Sequence, residues 1–279
     1  MHLELAAMNN HHRFHTLESF FASAHESGYK AVELWTGPMH FYMDYAQNDP
    51  VERLKRLEDA YGVKVIGICP EQTNPKPHNM ATADLALAER VRAYFGRAVD
   101  VACEIGANQV VVTSGWAFLD ESADEAWERS VAMLRRVARY AGEQGMTLAI
   151  EALQERESVL VNTVADLKRL IDAVDEGALK VCLDTGAMAR ANDTIKGYFD
   201  VFGSRVAHCH FVDVDETATH LAWGDGSRNM AQDLADLATY GYEGVLSVES
   251  ASARYLADPA AADRQSIDQF NKSIQEAQL

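Results

Sequence analysis

The chain has 279 residues, of which 48% are apolar and 24% are charged, and its 42 acidic residues against 25 Lys and Arg give a net charge of −17. This composition is typical of a soluble globular protein, and the length suits one large domain. The strong negative charge argues against a nucleic acid or an anionic membrane as partner, because both favour basic surfaces.

No targeting or membrane segment is evident in the sequence. The first five residues lack the cationic stretch and apolar core of a secretory signal. The longest apolar runs, such as Val63–Cys69, are far shorter than the roughly 20 residues that span a bilayer. The four cysteines form no CxxC pair, which predicts reduced, buried thiols. We therefore expect a cytoplasmic protein with no membrane association.

Short apolar runs alternate along the chain with amphipathic helical patterns. The runs begin about 27 to 45 residues apart, which is the spacing of repeated strand–helix units. The predicted strands are Leu3–Ala7, Ala31–Trp35, Lys64–Ile68, Gln109–Thr113, Thr147–Glu151, Leu179–Asp184, Val206–Phe211 and Gly244–Glu249. The predicted helices include Thr16–Ser27, Pro50–Tyr61, Asp84–Ile105, Asp124–Gln144, Val164–Val174 and Met230–Tyr240.

These elements indicate a parallel α/β fold. Val110–Val112 and Leu148–Ile150 are apolar at successive positions, which is typical of strands covered on both faces. Eight strand–helix units suit a closed (β/α)₈ TIM barrel of about 250 residues, whereas a doubly wound sheet of this size would usually carry a nucleotide-binding glycine motif. No GxGxxG follows the first strand and no GxxxxGK[ST] occurs. The sequence therefore predicts a single TIM-barrel domain over residues 1–279.

Polar residues stand near the carboxyl ends of the predicted strands, where a TIM barrel carries its catalytic groups. Glu33 lies towards the end of the second strand, and the last four strands end at Glu151, Asp184, His210 and Glu249. A carboxylate in this position costs free energy to bury unless it is paired or bound to a metal. Because four consecutive strands end in such residues, a shared metal site is favoured over unrelated salt bridges.

Three carboxylates and one imidazole form a hard, oxygen-rich ligand set. This set suits octahedral Mn²⁺, Mg²⁺ or Co²⁺ better than a tetrahedral, cysteine-rich zinc site. The remaining coordination positions would accept the carbonyl and a neighbouring hydroxyl of a polyhydroxy ketone, whose carbonyl the ion would polarise. The expected cofactor is a divalent metal ion, with Mn²⁺ as the first choice.

Several segments resemble the xylose isomerase-like sugar epimerases. They are Ala31–His40, Ile150–Glu157, Val181–Asp184, His208–Asp213 and Val248–Glu249. The similarity extends from about residue 28 to about residue 270 and is greatest to the fructoselysine 3-epimerase and psicose/tagatose 3-epimerase branch. It implies a metal-dependent isomerase of carbohydrate metabolism, most simply a ketose or fructosamine 3-epimerase.

The resemblance also implies roles for the strand-end residues. Glu151, Asp184, His210 and Glu249 would be the metal ligands, and Glu151 and Glu249 would double as the acid/base pair on opposite faces of the ketose. One would remove the proton at carbon 3 to give a cis-enediolate, and the other would return a proton to the opposite face. Protonation from a single face would restore the starting sugar, so inversion requires both groups.

The same resemblance assigns Glu157 and Glu33 to the substrate, and Trp116 is assigned to it from its position after the fourth strand. Glu157 matches the family glutamate that hydrogen-bonds substrate hydroxyls, with a solvated loop carboxylate as the alternative. Glu33 would contact substrate or belong to a structural Glu–Arg pair. Trp116 would form an apolar wall for one sugar face. His208, two residues before His210, is expected one layer deeper, as a supporting or core histidine.

The sequence departs from the tagatose-type pattern at two positions. Ala187 and Glu216 stand where that branch has a histidine and an arginine. His220, at the end of the same loop as Glu216, would supply a donor to the substrate instead. Both departures bring the chain nearer the fructoselysine branch. Of His11, His12 and His15, which follow the first strand, at least two are expected to be solvated.

The metal ligands do not distinguish an epimerase from an aldose–ketose isomerase or a lyase acting on 3-keto sugars or inososes. A second alternative is a non-catalytic sugar-binding barrel, although all four predicted ligands are present. An endonuclease of the same superfamily fits poorly, because it requires many more histidines and a basic groove. The expected substrate is a small-molecule sugar, and the family resemblance implies a homodimer or homotetramer as the assembly.

Overall fold

Eight parallel strands close into a barrel. In the computed structural model, which describes residues 3–74 and 76–279, each strand pairs with the next in chain order and the eighth pairs back with the first. The strands are β1 (Glu4–Met8), β2 (Ala31–Trp35), β3 (Lys64–Cys69), β4 (Gln109–Val112), β5 (Thr147–Ile150), β6 (Leu179–Asp184), β7 (Val206–His210) and β8 (Val245–Val248). The predicted TIM barrel is confirmed, and each strand end lies within one residue of its predicted position.

Helices connect the strands. They are α1 (Leu17–Ser27), α2 (Val51–Tyr61), α3 (Leu85–Ile105), α4 (Ala123–Glu143), α5 (Val164–Val174), α6 (Thr185–Arg190), α7 (Ile195–Phe202), α8 (Met230–Thr239) and α9 (Pro259–Ala277). Three of them, α6, α7 and α9, are not among those predicted from the sequence. Each begins after a side-chain cap that satisfies a free backbone N–H, provided by Asp184, Thr194 and Asp258 respectively.

The apolar core lies mainly between the strands and the helices. Successive strand residues point to opposite sides, so Val110 and Val112 join this outer core while Val111 faces the barrel interior. Inside the barrel, Val111 packs with Met8 and Cys69. The interior also holds buried polar side chains, an unusual content for a space that barrels generally fill with branched apolar residues.

Two expectations about the surface can be checked against the fold. None of the helices formed by residues 3–74 and 76–279 is long and apolar enough to cross a lipid bilayer. All four cysteines are free thiols: Cys69, Cys182 and Cys209 are buried as predicted. Cys103 is exposed on α3, so the prediction of a buried thiol is wrong there.

Candidate active site

Four side chains at the carboxyl ends of the last four strands converge at one end of the barrel. The Nδ1 atom of His210 lies 2.9 Å from Glu151 Oε2 and 3.1 Å from Glu249 Oε2. Asp184 is joined to this group through His220, whose Nε2 atom lies 3.3 Å from Asp184 Oδ2 and 3.5 Å from Glu249 Oε2. The structure therefore brings together the four predicted metal ligands and adds His220 to them.

Strand register explains why these residues meet. Asp184 and His210 are paired directly across β6 and β7, and His210 is paired with Ser247 across β7 and β8. Because side chains alternate along a strand, Glu249 lies on the same side as Ser247. Asp184 is also the cap of α6, and its Oδ1 atom accepts a hydrogen bond of 2.7 Å from the Gly186 N–H. Its other oxygen, Oδ2, is thereby left facing His220.

Burial and mutual charge set the protonation of this cluster. Burial raises the pKa of Glu151 to about 7, although the neighbouring His210 opposes that rise. Burial acts the same way on Glu249, but His210 and His220 outweigh it and hold the Glu249 pKa below its ordinary value. Burial disfavours charge on His220 as well, yet Asp184 and Glu249 raise its pKa well above the ordinary value. The two histidines thus favour the ionised form of Glu249, whereas burial favours the neutral form of Glu151.

The arrangement fits a divalent cation. Glu151 Oε2 and His210 Nδ1 are both buried and neither makes a hydrogen bond of acceptable geometry, although they lie 2.9 Å apart. Two carboxylates that face one imidazole nitrogen are satisfied together when a cation lies among them. Among the described residues, the candidate ligand atoms of Glu151, His210 and Glu249 all lie within 4.8 Å of one another, as do those of Asp184, His220 and Glu249.

A cavity of about 440 Å³ opens above these residues, which is the size of a small-molecule site. Glu151, Asp184, His220 and Glu249 form part of its lining. Glu157 also lines it, half-buried, with its Oε2 atom accepting a hydrogen bond of 3.0 Å from the Gln154 N–H. The cavity therefore leads directly to the candidate metal ligands.

Trp116 lies outside this lining. Its ring packs edge-on against Phe118, with 5.0 Å between the ring centres. Its Nε1–H is buried and meets no hydrogen-bond acceptor within residues 3–74 and 76–279. Glu216, which replaces the arginine of the tagatose-type pattern, is exposed and also lies outside the lining. The substrate contact assigned to Trp116 stays a prediction.

Glu33 is fully buried inside the barrel, below His210, and lies outside the cavity lining. Its Oε1 atom lies 3.2 Å from His210 Nε2, and its Oε2 atom lies 2.5 Å from His208 Nε2 and accepts a hydrogen bond of 2.6 Å from Ser247. Burial alone would raise the Glu33 pKa, but His208 and His210 hold it well below its ordinary value. The alternative of a Glu–Arg pair is wrong, since the partners are two histidines and a serine.

The expectation of solvated histidines after β1 is also wrong. His11 and His12 are each 1% exposed, and their Nε2 atoms lie 2.9 and 2.8 Å from the two carboxylate oxygens of Asp263 on α9. Ser23 on α1 donates a third hydrogen bond to the same carboxylate at 2.6 Å. Because Asp263 is more than 250 residues away in sequence, no local pattern shows this cluster.

Asn10 is a site residue that the sequence did not indicate. It lines the cavity, is buried, and donates a hydrogen bond of 3.2 Å from Nδ2 to Glu249 Oε1. Its Oδ1 atom is buried and has no hydrogen-bond partner among the residues that the structure describes. The available signal was its position just after β1, at the end of the barrel that carries the other site residues.

Comparison with known proteins agrees with this architecture. The profile of the xylose isomerase-like TIM barrel family matches residues 21–274. The fructoselysine 3-epimerase of Shigella flexneri is 28% identical over 261 residues, covering 93% of this chain and 94% of that protein. The L-ribulose 3-epimerase of Mesorhizobium japonicum is 26% identical over 242 residues, covering 85% of this chain and 76% of that protein.

Among solved structures, an L-ribulose 3-epimerase superposes with a TM-score of 0.81 at 21% sequence identity, covering 99% of this chain and 96% of that one. At this identity the superposition demonstrates the shared fold. The family profile covers most of the chain, and the closed barrel is the architecture that the profile describes. The chain therefore belongs to the xylose isomerase-like TIM barrel family.

Proposed function

We propose that this protein is a divalent-metal-dependent 3-epimerase of ketoses or fructosamines. The observation that carries the proposal is the position of Glu151 Oε2 and Glu249 Oε2, which lie 2.9 and 3.1 Å from the same nitrogen of His210. Similarity to a fructoselysine 3-epimerase along nearly the whole chain supports the substrate class. Glu151, Asp184, His210 and Glu249 would hold the metal, with Mn²⁺ the preferred ion because three of the four ligands are carboxylates.

A bound divalent cation would supply Lewis-acid polarisation of the substrate carbonyl, which makes the neighbouring C–H more acidic. The chain's own contribution begins with orientation. Gly186 N–H and His220 hold the Asp184 carboxylate from two sides, and Asn10 holds Glu249 through Oε1. Asp184 and Glu249 are therefore held in place before substrate binds, which would reduce the entropy lost on reaching the transition state.

Glu151 and Glu249 would transfer the protons. They follow β5 and β8, which are three strands apart around an eight-stranded barrel, a separation that would let their carboxylates approach a bound sugar from different sides. One would take the proton from carbon 3 at Oε2, and the other would deliver a proton to the opposite face of the planar carbon. Removal of the proton on one face and its return on the other would invert carbon 3.

The cavity walls would hold the sugar hydroxyls. Glu157 lines the cavity and retains one carboxylate oxygen, Oε1, beyond its bond to Gln154. His220 is the strongest candidate for the donor role that a histidine and an arginine have in the tagatose-type pattern, since it reaches Asp184 and Glu249.

The cytoplasmic location and the homo-oligomeric assembly remain predictions.

The alternatives share the same metal site and differ in the product. An aldose–ketose isomerase would move the carbonyl between carbons 1 and 2, and a lyase acting on a 3-keto sugar or inosose would eliminate a group next to the carbonyl. A sugar-binding barrel without catalysis would hold the metal and exchange no carbon-bound proton. Each outcome is visible in the same experiment.

The test is incubation of Mn²⁺-loaded protein with ketoses, fructosamines and 3-keto glycosides in D₂O, with NMR analysis of the products after the metal is removed. We expect deuterium at carbon 3 together with formation of the carbon 3 epimer. A chelated sample should be inactive, and Glu216→Gln, outside the cavity lining, should react like the unaltered protein. Bound metal with no deuterium incorporation in any of these sugars would contradict the proposed epimerase.

A further inference from the structure

Below the candidate ligands, a chain of hydrogen bonds crosses the barrel interior. It connects Gln109 at the start of β4, His208 on β7, Glu33 on β2 and finally His210. All four side chains are buried, with at most 7% of any residue exposed. Buried polar groups cost free energy unless all their hydrogen bonds are made. A polar layer inside the barrel therefore needs a functional or structural reason, whereas an apolar layer would not.

The direction of each bond follows from what each group can donate. The amide nitrogen of Gln109 can only donate, so His208 Nδ1, at 3.2 Å, must accept. His208 then carries its proton on Nε2 and donates it to Glu33 Oε2 at 2.5 Å, where Ser247 donates as well. Two donors thus occupy Oε2, and the remaining oxygen of Glu33 is left for His210.

Glu33 Oε1 lies 3.2 Å from His210 Nε2. A carboxylate oxygen that is ionised can only accept, so this contact holds the His210 proton on Nε2. The other ring nitrogen, Nδ1, then presents its lone pair to the point where Glu151 and Glu249 converge. The same bond limits rotation of the His210 ring, because it ties Nε2 to the buried Glu33 carboxylate.

The space for this chain is provided by Gly67 on β3. A Cβ atom at Gly67 would lie 2.6 Å from Gln109 Nε2 and 3.4 Å from Glu33 Cγ. A side chain at this position would therefore push the Gln109 amide away from His208. Gly67 therefore leaves the room in which Gln109 reaches His208, which in turn bonds to the Glu33 carboxylate.

We propose that Glu33 is a positioning residue that acts through His210, fixing the tautomer and ring orientation in which Nδ1 is available to a divalent cation. The inference rests on the proposed metal site and replaces the direct substrate contact predicted for Glu33, which lies outside the cavity lining. Mutation of a carboxylate that holds a metal-binding histidine in this way typically weakens metal affinity by about 10- to 100-fold.

The test compares Glu33→Gln with Glu58→Gln, a matched buried glutamate on α2 that bonds to Val65 N–H at 2.8 Å, far from the site. Mn²⁺ affinity of the metal-free proteins is measured by electron paramagnetic resonance titration, which does not depend on activity. We expect about 10- to 100-fold weaker binding for Glu33→Gln and unchanged binding for Glu58→Gln. Equal affinities in folded Glu33→Gln and Glu58→Gln would overturn the proposal.

A second measurement needs no variant. Nitrogen-15 NMR of the unaltered protein loaded with diamagnetic Mg²⁺ reports which ring nitrogen of His210 carries the proton. A protonated Nε2 with a metal-shifted Nδ1 supports the proposal, and the opposite tautomer refutes it even when Glu33→Gln fails to fold. These outcomes are separate from the epimerase proposal, because a protein that binds Mn²⁺ through a Glu33-held His210 yet exchanges no carbon 3 proton would refute only the epimerase.

Discussion

Asp263 offers the clearest test of how buried charge stabilises this barrel. Its carboxylate receives hydrogen bonds from His11, His12 and Ser23 at 2.6 to 2.9 Å, and joins α9 to α1 and to the turn after β1. In Asp263→Asn the shape is kept while the charge is lost. A hydrogen bond to a charged group contributes about 1.5–3 kcal/mol against about 1 kcal/mol for a neutral one, so three bonds together predict a loss of about 3 kcal/mol.

For a chain of this size, a loss of about 3 kcal/mol corresponds to a decrease of about 6–12 °C in the thermal midpoint. Circular dichroism melts of Asp263→Asn measure it. The control is Asp172→Asn, an exposed aspartate paired with Lys168 one helical turn away, for which no measurable change is expected. A midpoint for Asp263→Asn within about 2 °C of the unaltered protein would refute the reasoning, since about 1 kcal/mol corresponds to at least that shift.

The same carboxylate predicts a pH dependence. Burial would raise the Asp263 pKa, but His11 and His12 outweigh it and hold the pKa below the ordinary value. A carboxyl whose pKa is lower in the folded state stabilises above its unfolded pKa of about 3.9, and that stability is lost as the pH falls further. As the pH falls below about 4, the free energy of unfolding measured in urea should therefore decrease more for the unaltered protein than for Asp263→Asn. Parallel dependences of this free energy on pH in the two proteins would contradict the prediction.

Three further predictions concern the site. Glu151→Gln and Glu249→Gln should each slow deuterium exchange at carbon 3 by about 10²–10⁴-fold, and an unchanged rate in a metal-loaded variant would remove that residue from the acid/base role. Gly67→Ala should lower the free energy of unfolding in urea by about 1–3 kcal/mol by displacing the Gln109 amide, whereas a neutral change would show that Gln109 moves freely. Mn²⁺ at about 100 times its dissociation constant should stabilise the metal-free protein by about 2.7 kcal/mol in thermal melts, and chelation should reverse the gain. A thermal midpoint that does not change with Mn²⁺ would argue against a metal site in the native state.

Much of the architecture follows from local sequence. Strand boundaries such as Ala31–Trp35 and Leu179–Asp184 are reproduced without change, because short runs of buried apolar residues between helical patterns are a local signal. The candidate ligands were also accessible to sequence reasoning. In a parallel barrel all strands end on the same face, so a polar residue at each of four strand ends predicts a common site.

Elements with weak local patterns were harder to predict. Helix α6 has six residues and begins directly after β6, whose last residue, Asp184, serves both as a candidate ligand and as the helix cap. Its six residues span less than two helical turns, which is too short for a periodic apolar pattern to predict a helix. The long helix α9 was likewise missing from the predicted elements, although its proline at the first position and its aspartate cap are ordinary helix-start signals.

The tertiary structure decided which polar side chains meet. From sequence, at least two of His11, His12 and His15 were expected in solvent, and Glu33 was expected to contact substrate or to pair with an arginine. Closure of the barrel instead brings His11 and His12 to Asp263, and Glu33 to His208 and His210. These partners lie between 175 and 252 residues apart in the chain, so no spacing rule links them. Local patterns determine where a strand begins and which face is apolar, whereas the pairing of a buried charge depends on the three-dimensional closure of the sheet.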